Sequence, residues 1–364
     1  MTPTALPAVL QWSLPMNEKK ALIIGVSGQD GPYLARLLLE KGYQVTGTSR
    51  NAETASFANL HRLGIKAELG SSPAQTKLMP SGCKDRLRLR TLVPEDPDRV
   101  MTLLAELLPD EIYNLSGQSS VGLSFERPLE TLASIVGSDL NILEAIRRLA
   151  LPTRLFNASS GECFGDTGGL AATESSPFKP RSPYAVAKAA AFWQISVYRE
   201  VYGLFACSAL LFNHESPLRP DQFVTRKIIR TVVDIAAGRA DRLSLGNIDI
   251  ERDWGWAPEY VEAMWLMLQR ERPEDFIIAT GRSFPLRDFV AEAFSLLGLD
   301  WREHTSSDPT LLRPTDALVC RADVYRAKKD LGWQARSAMP EVVWMMLADQ
   351  LQHESPELRD RLDR

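Results

Sequence analysis

The chain has 364 residues, of which 45% are hydrophobic and 24% charged, and its formal net charge is −4. These values are typical of a globular protein with one large domain or two modest ones. The slight negative charge argues against a nucleic-acid partner, and no apolar run reaches the roughly 18–20 residues that a membrane span needs.

The N-terminal segment contains an apolar patch that is interrupted by prolines and has no positive charge before it. A secretory signal would carry that charge, so we predict a disordered extension over residues 1–19. The cysteines form no C-x-x-C pair, which predicts neither a disulfide framework nor a metal site. A reducing cytoplasm suits such scattered thiols, which are Cys83, Cys163, Cys207 and Cys320.

Strands and helices then alternate along the chain. KALIIGVSG predicts a strand, GPYLARLLLEKG a helix and YQVTGTSR a second strand. Residues 67–84 are rich in turn formers and separate two segments that would otherwise join, so they predict an inserted surface loop. DEIYNLSG and TRLFNASSG predict two more strands, and the sequence between them predicts one long amphipathic helix, PLETLASIVGSDLNILEAIRRLA.

The next helix, SPYAVAKAAAFWQISVYREVYG, has Ser182 as its predicted cap and Pro183 in its first turn. A strand, FACSALLFN, follows it. This alternation predicts an α/β fold with a Rossmann-type doubly wound parallel sheet. We predict a cofactor-binding domain over residues 20–212 and a smaller substrate-binding lobe, mainly over residues 213–364, that interleaves with it.

The segment GVSGQDG places Gly25, Gly28 and Gly31 between the first strand and the first helix. Glycines permit a tight turn and a close backbone approach, and the helix N-terminus attracts a pyrophosphate. This context predicts a dinucleotide site. Arg50, at the end of the second strand, favours the 2′-phosphate of NADP over the 2′-hydroxyl of NAD; a solvent-exposed arginine is the alternative.

Tyr184 and Lys188 are four residues apart on one helix and therefore share a face. An ammonium beside a phenol stabilises the phenolate, so we expect Lys188 to lower the pKa of Tyr184. Glu162 follows a strand that ends in Ser159 and Ser160. From the residues alone, Glu162 is either a solvated turn carboxylate or a proton-transfer group in a cleft at the carboxyl ends of the strands.

The glycine loop, Ser160, Tyr184 and Lys188 together resemble an extended short-chain dehydrogenase/reductase. A second set of motifs resembles the GDP-mannose 4,6-dehydratase family. The resemblance runs from about Lys20 to about Trp333, except for the insertion, and it rests on NLSGQSSV, NASSGECFG, PRSPYAVAKAAAFW, LLFNHESPLR, FVTRKI, SLGN, RDWG, YVEAMWLMLQ, IATG and RPTD.

The resemblance implies a mechanism. Tyr184 would take the proton of the sugar C4 hydroxyl as hydride leaves C4 for NADP, and Ser160 would hydrogen-bond that oxygen. Glu162 would remove the C5 proton and help water leave from C6, after which the hydride returns to C6. The implied product is GDP-4-keto-6-deoxy-mannose, and the implied assembly is a homodimer or homotetramer.

The resemblance also implies binding residues and no metal. For NADP they are Gly25, Ser27, Gly28, Gln29, Asp30, Gly31, Arg50, Leu92, Leu115, Ser116, Gln118, Ser119, Lys188, His214 and Arg219. For the GDP-sugar they are Asn213, Lys227, Arg252 and Arg313, where basic groups suit a diphosphate. An ordinary surface charge is the alternative for each basic residue.

The sequence departs from the family at several positions, which leaves other functions open. One alternative is an NADP-dependent reductase or epimerase of a nucleotide sugar, against which Glu162 argues. Others are a dehydratase of a CDP- or dTDP-hexose, and a non-catalytic cofactor-binding sensor, against which Tyr184 and Lys188 argue. The departures are Ser160 for threonine, Thr91 for an aspartate near the adenine, Phe164 for tyrosine, Ser120 for histidine, and Asn51 for the second of two arginines.

Overall fold

The structure, a computed structural model, describes residues 18–70 and 86–362. Its strands are β1 (Lys20–Ile24), β2 (Gln44–Ser49), β3 (Lys66–Leu69), β4 (Arg86–Thr91), β5 (Glu111–Asn114), β6 (Arg154–Ser160), β7 (Ala171–Ala172), β8 (Ala206–Leu211), β9 (Asn213–Glu215), β10 (Leu243–Leu245), β11 (Glu251–Trp256), β12 (Phe276–Ile278), β13 (Ser283–Pro285), β14 (Thr305–Ser307) and β15 (Arg321–Ala322).

The helices connect these strands and cover the sheet. They are α1 (Asp30–Glu40), α2 (Ala58–Arg62), α3 (Pro97–Leu107), α4 (Val121–Glu126), α5 (Pro128–Leu132), α6 (Ser138–Arg148), α7 (Pro183–Tyr202), α8 (Val224–Ala236), α9 (Ala257–Gln269), α10 (Leu286–Ser295), α11 (Trp301–His304), α12 (Tyr325–Lys329), α13 (Met339–Gln350) and α14 (Pro356–Arg359). Ala133–Gly137 is a π-helical turn, and Gly161–Phe164, Pro309–Leu311 and Leu351–His353 are 3₁₀ turns.

The main sheet has eight strands in the order β12-β8-β6-β5-β1-β2-β4-β3, and all neighbouring pairs are parallel. The predicted α/β fold with a parallel sheet is therefore confirmed. The chain leaves β1 in one direction towards β2 and returns on the other side at β5. Ligands of such sheets bind at the carboxyl ends of the strands, beside this switch in direction.

Both faces of the sheet are buried, as the central strand β1 shows. Its side chains alternate between two apolar clusters, one on each face. Ala21 and Ile23 belong to a cluster with α1 and α9, whereas Leu22 and Ile24 belong to a cluster with α3, α6 and α7. The strands consequently read as nearly continuous apolar runs, as expected for a parallel sheet covered on both sides.

The C-terminal part of the chain contributes to two cores. A separate apolar cluster joins α8, α10 and α13 with β10 and β11. However, β12 pairs with β8 in the main sheet, and α9 packs in the apolar cluster of α1. The division of the chain at residue 212 remains a prediction.

Two expectations about individual elements are wrong. The predicted insertion begins too early, because residues 67–69 belong to β3 and pair in parallel with β4. As a largely exposed edge strand, β3 carries no buried alternation that would reveal it. The long helix predicted after residue 127 is divided by the π-helical turn into α5 and α6. The predictions for residues 1–17 and 71–84 lie outside the described residues.

Within residues 18–70 and 86–362, no helix combines the length and apolarity that crossing a membrane would require.

Candidate active site

A cavity of about 1220 Å³ lies at the carboxyl ends of the parallel strands, between the main sheet and the C-terminal part of the chain. Most residues of the predicted site line this cavity. They are Gly25, Gly28, Gln29, Asp30, Gly31, Leu115, Ser116, Ser119, Ser160, Glu162, Tyr184, Lys188, Asn213, His214, Arg219, Lys227, Arg252 and Arg313.

Four predicted cofactor residues do not line the cavity. The Leu92 side chain is buried in the core against α3 and α6, where its apolarity places it. Gln118 Nε2 donates a hydrogen bond to the Ser120 carbonyl oxygen (2.9 Å) and so stabilises the loop that contains both residues. Ser27 is half-buried outside the lining, and Arg50 is exposed directly after β2.

The glycine loop has the shape of a cradle for a pyrophosphate. Gly25 has φ +90°, and a Cβ on Gly31 would lie 2.5 Å from the Val26 carbonyl oxygen, so both positions require glycine. The Gln29 side chain does not cap α1, and its Oε1 is buried without a hydrogen-bond partner. The helix N-terminus therefore retains backbone N–H groups that suit an anion. These residues fit a dinucleotide.

An ion pair joins this loop to the C-terminal part of the chain. His214 Nε2 lies 2.9 Å from Asp30 Oδ2, and its Nδ1 lies 2.8 Å from the Phe212 carbonyl oxygen. Burial opposes charge on both partners, but their mutual attraction outweighs it. The pKa of His214 is consequently raised and the pKa of Asp30 lowered from their ordinary values.

The catalytic candidates come from β6 and α7. Ser160 ends β6, and its Oγ accepts a hydrogen bond from the Glu162 backbone N–H (3.2 Å) at the following 3₁₀ turn. As predicted, Ser182 caps α7 and Pro183 begins it. Tyr184 therefore lies in the first turn, and Lys188 Nζ lies 6.0 Å from the centroid of the Tyr184 ring.

The expectation that Lys188 lowers the pKa of Tyr184 is wrong for this arrangement. Burial raises the pKa of Tyr184 well above its ordinary value, and a hydrogen bond with Ser160 only partly offsets it. The Lys188 ammonium instead donates to the Ala158 carbonyl oxygen (2.6 Å). Burial also lowers the pKa of Lys188, against the opposing charge of Asp139.

Glu162 lies in the cavity beside a buried cation. Arg252 Nε lies 3.5 Å from Glu162 Oε1, and Arg252 Nη2 lies 2.8 Å from Asp316 Oδ1. The Arg252 side chain is only 4% exposed, and its Nη1 donates to the Ala317 carbonyl oxygen (2.8 Å). The carboxylate of Glu162 is thus held in a cleft with its charge balanced.

The remaining predicted cations also line the cavity. Lys227 Nζ donates to the Ser244 carbonyl oxygen (2.7 Å). Arg313 Nη1 lies 3.7 Å from Asp316 Oδ1. The Arg219 guanidinium lies 3.8 Å from the centroid of the Phe223 ring. Cationic groups in the cavity wall favour an anionic ligand. Among the described residues, no cluster of three or more His, Cys, Asp or Glu could hold a metal ion.

Comparisons with known proteins identify the family. Residues 22–346 match the family model for GDP-mannose 4,6 dehydratase. The chain belongs to the GDP-mannose 4,6-dehydratase family. It is 40% identical to GDP-mannose 4,6 dehydratase 1 of Arabidopsis thaliana, with 92% of this chain and 90% of the relative covered. It is 39% identical to GDP-mannose 4,6-dehydratase of Yersinia enterocolitica, with 92% and 94% covered.

Solved structures share the fold of this dehydratase family member. RMD from Pseudomonas aeruginosa, complexed with NADPH, has a TM-score of 0.70 at 22% identity and covers 91% of this chain and 98% of its own. A double mutant of the dTDP-glucose 4,6-dehydratase DesIV from Streptomyces venezuelae, with NAD and DAU bound, has a TM-score of 0.76 at 19% identity and covers 94% and 99%. These likenesses show the fold of the chain.

The departures from the dehydratase family have local structural roles. Thr91 Oγ1 accepts a hydrogen bond from the backbone that follows β2, and Ser120 caps α4. Asn51 closes a turn by accepting from two backbone N–H groups. Phe164 is buried in an aromatic cluster.

Sequence reasoning missed two acidic residues of this site. Asp316, which pairs with Arg252, ends the RPTD motif and could have been found there. Asp139 is buried on α6, and its charge opposes the lowering of the Lys188 pKa by burial. Its only signal is an acidic residue within an apolar helix face, four residues after Ile135 and three before Ile142.

Proposed function

We propose that the chain converts GDP-mannose to GDP-4-keto-6-deoxy-mannose by oxidation at C4, elimination of water across C5–C6 and reduction at C6. The observation that carries this proposal is the presence of Glu162 in the same cavity as Ser160, Tyr184 and Lys188. An enzyme that only reduces a ketone has no elimination to perform and no need of that carboxylate. Family membership supports the same reaction.

NADP is the cofactor that we propose. The glycine loop and the N-terminus of α1 would hold its pyrophosphate, and Arg50, exposed after β2, would reach its 2′-phosphate. When bound, NADP supplies the hydride acceptor at C4 and the hydride donor at C6. NADPH in the complex of the Pseudomonas relative supports the phosphorylated form, whereas the Streptomyces relative binds NAD.

Tyr184 and Ser160 act on the sugar C4 hydroxyl. Tyr184 Oη accepts its proton, and Ser160 Oγ hydrogen-bonds the same oxygen. Burial favours the neutral phenol, and the hydrogen bond with Ser160 partly offsets it. Lys188, which lines the same cavity, would bind the cofactor beside Tyr184.

Glu162 performs the elimination. A ketone at C4 makes the C5 proton acidic, so Glu162 removes that proton and assists departure of the C6 hydroxyl as water. Arg252 keeps the carboxylate oriented through its Nε, 3.5 Å away. Three cations that line the cavity, with Asn213, would bind the GDP diphosphate; they are Lys227, Arg252 and Arg313.

The test is an incubation of purified protein with GDP-mannose and catalytic NADP, with the sugar products followed by mass. We expect loss of one water, reduced at least about 100-fold in Glu162→Gln and Tyr184→Phe. Glu271→Gln, which changes an exposed carboxylate outside the cavity, should retain activity.

Other outcomes would identify the alternatives. Loss of water from a CDP- or dTDP-hexose but not from GDP-mannose would reject the GDP assignment. Oxidoreduction or epimerisation of a nucleotide sugar without loss of water would indicate a reductase or epimerase. Binding of NADP without turnover of any nucleotide sugar would indicate a sensor.

A homodimer or homotetramer is part of the proposal. Large apolar side chains are exposed along α7, and Leu129 of α5 is 84% exposed beside them. Such a patch is typical of a protein interface, so a second copy would cover it. Light scattering of the wild type and of Trp193→Glu tests this, since the charge should yield monomers. The patch on α7 comprises Val186, Trp193, Val197, Val201 and Tyr202.

The cytoplasm is the proposed compartment. Cys163, Cys207 and Cys320 are buried free thiols rather than disulfides, which suits a reducing environment. Cell fractionation with an antibody against the chain would test this.

A further inference from the structure

A second carboxylate of the cavity shares a cation with Glu162. Asp316 lines the cavity, and its Oδ1 accepts a hydrogen bond from Arg252 Nη2 (2.8 Å). Arg252 Nε lies 3.5 Å from Glu162 Oε1. One buried guanidinium therefore serves two carboxylates, of which only Glu162 has a role in the proposed reaction.

The structure fixes the orientation of the Arg252 guanidinium. Its Nη1 donates to the carbonyl oxygens of Glu251 (2.9 Å) and Ala317 (2.8 Å). The Glu251 N–H in turn donates to the Leu318 carbonyl oxygen (2.7 Å), which joins the segment of Asp316 to β11. Because Nη1 is held by two backbone carbonyls, Nε and Nη2 are the groups that remain for the two carboxylates.

The two carboxylates contact Arg252 unequally. Burial lowers the pKa of Arg252, but the charges of Glu162 and Asp316 outweigh it, and the pKa is raised from its ordinary value. The contact with Asp316 has the length of an ordinary hydrogen bond. The 3.5 Å to Glu162 exceeds the range of about 2.7–3.2 Å for such a bond. Asp316 is thus the closer partner of the cation.

This difference matters for a base. An arginine can bind a single carboxylate through two N–H groups at once. A carboxylate held in that way is a weaker base, because both hydrogen bonds and the positive charge favour its ionised form. Since Asp316 takes Nη2, Glu162 meets only Nε. Glu162 is therefore oriented by Arg252 without being bound at two points.

We propose that Asp316 is a positioning residue, which occupies Arg252 Nη2 and so prevents a two-point ion pair between Arg252 and Glu162. The role of Glu162 as the base at C5 itself rests on the proposed function. Arg313 Nη1, 3.7 Å from Asp316 Oδ1, is a second cation that attracts Asp316 and helps to balance its charge.

Steady-state kinetics with GDP-mannose and catalytic NADP test this role in the reaction. Asp316→Ala vacates Nη2, so kcat for water loss should fall about tenfold or more, while KM for GDP-mannose changes less than about threefold. The isotope effect of deuterium at C5 should increase, because removal of that proton becomes slower than the other steps. Asp316→Asn, which retains an acceptor for Nη2, should keep more of kcat. A raised KM with unchanged kcat would overturn the proposal.

Glu251→Gln is the matched control. Glu251 directly precedes Arg252 on β11, and its carboxylate pairs with Arg321 (2.6 and 3.0 Å) outside the cavity lining. Its side chain is 14% exposed, against 18% for Asp316. This variant should keep kcat and the isotope effect of the wild type. An equal loss of kcat in Glu251→Gln and Asp316→Ala would indicate general damage around β11 and refute the positioning role.

Melting temperatures test the competition for Arg252 without any turnover. After Asp316→Ala, Glu162 is free to bind both Nε and Nη2, so Glu162→Gln should lower the melting temperature about 1–3 °C more in that background than in the wild type. An equal change in both backgrounds would contradict the competition. If Asp316→Ala does not fold, Asp316→Ser also removes the charge, and the same readouts apply. If the protein dehydrates no nucleotide sugar, the proposed function fails, but this cycle still decides whether Asp316 and Glu162 compete for Arg252.

Discussion

Replacement of Gly31 by alanine should damage both the fold and the candidate cofactor site. A Cβ at this position would lie 2.5 Å from the Val26 carbonyl oxygen and 2.6 Å from Val26 Cα. Ordinary contact begins at 3.4 Å, so the start of α1 must move by about 0.9 Å. Overpacking of this kind costs about 1–3 kcal/mol. We expect the melting temperature to fall by about 2–5 °C.

The same movement displaces the N–H groups at the start of α1. NADPH fluorescence titrations should therefore show at least about tenfold weaker binding, equivalent to about 1.4 kcal/mol. Gly28→Ala is the control in the same loop, because its Cβ would meet only the Gly25 carbonyl oxygen at 3.5 Å. It should keep the wild-type melting temperature while weakening NADPH through direct contact. A Gly31→Ala variant with wild-type stability would refute the steric reasoning.

Three other predictions concern single side chains. Arg50→Ala should weaken the binding of NADPH by about tenfold and leave the binding of NADH almost unchanged, as measured by fluorescence titration with each cofactor. Ser182→Ala removes the N-cap of α7, where Ser182 Oγ accepts a hydrogen bond from the Ala185 backbone N–H (3.1 Å). The free energy of unfolding, measured in urea, should fall by about 1 kcal/mol. The raised pKa of His214 gives stability that is lost as pH rises through that pKa, and the lowered pKa of Asp30 gives stability that is lost as pH falls through that pKa. The destabilisation by Asp30→Asn should therefore be largest between about pH 4 and 6.5 and smaller at pH 9; an equal effect at both would contradict the ion pair.

The sheet and helix α7 were predictable because local patterns specify them. After the exposed Lys20, the first strand is apolar at every position, as a parallel strand covered on both faces requires, and a glycine loop follows it. Ser182 and Pro183 mark the start of α7, and the helical period then places Tyr184 and Lys188 one turn apart. The hypothesis that Glu162 transfers a proton needed the family resemblance. The sequence around a turn carboxylate does not distinguish a residue in a cleft from one on the surface.

Features that depend on tertiary contacts were not predictable. The strand over residues 67–69 exists because β4 offers an edge to pair with, and the π-helical turn has no propensity signature in its sequence. The pKa of Tyr184 depends on how completely other segments bury it. The ion pair of Asp30 and His214 joins residues that are 184 positions apart, so no local pattern reveals it.

The position of β12 has a consequence for how the chain acquires its structure. The strand at Phe276–Ile278 forms the outer edge of the main sheet, against β8. During synthesis, β8 emerges more than 60 residues before β12. Until β12 is made, the edge of β8 is unpaired, although every residue of this strand is buried in the folded protein. Contacts of such long sequence separation slow folding. Nascent chains that stall before Phe276 should therefore be prone to aggregation and depend on chaperones.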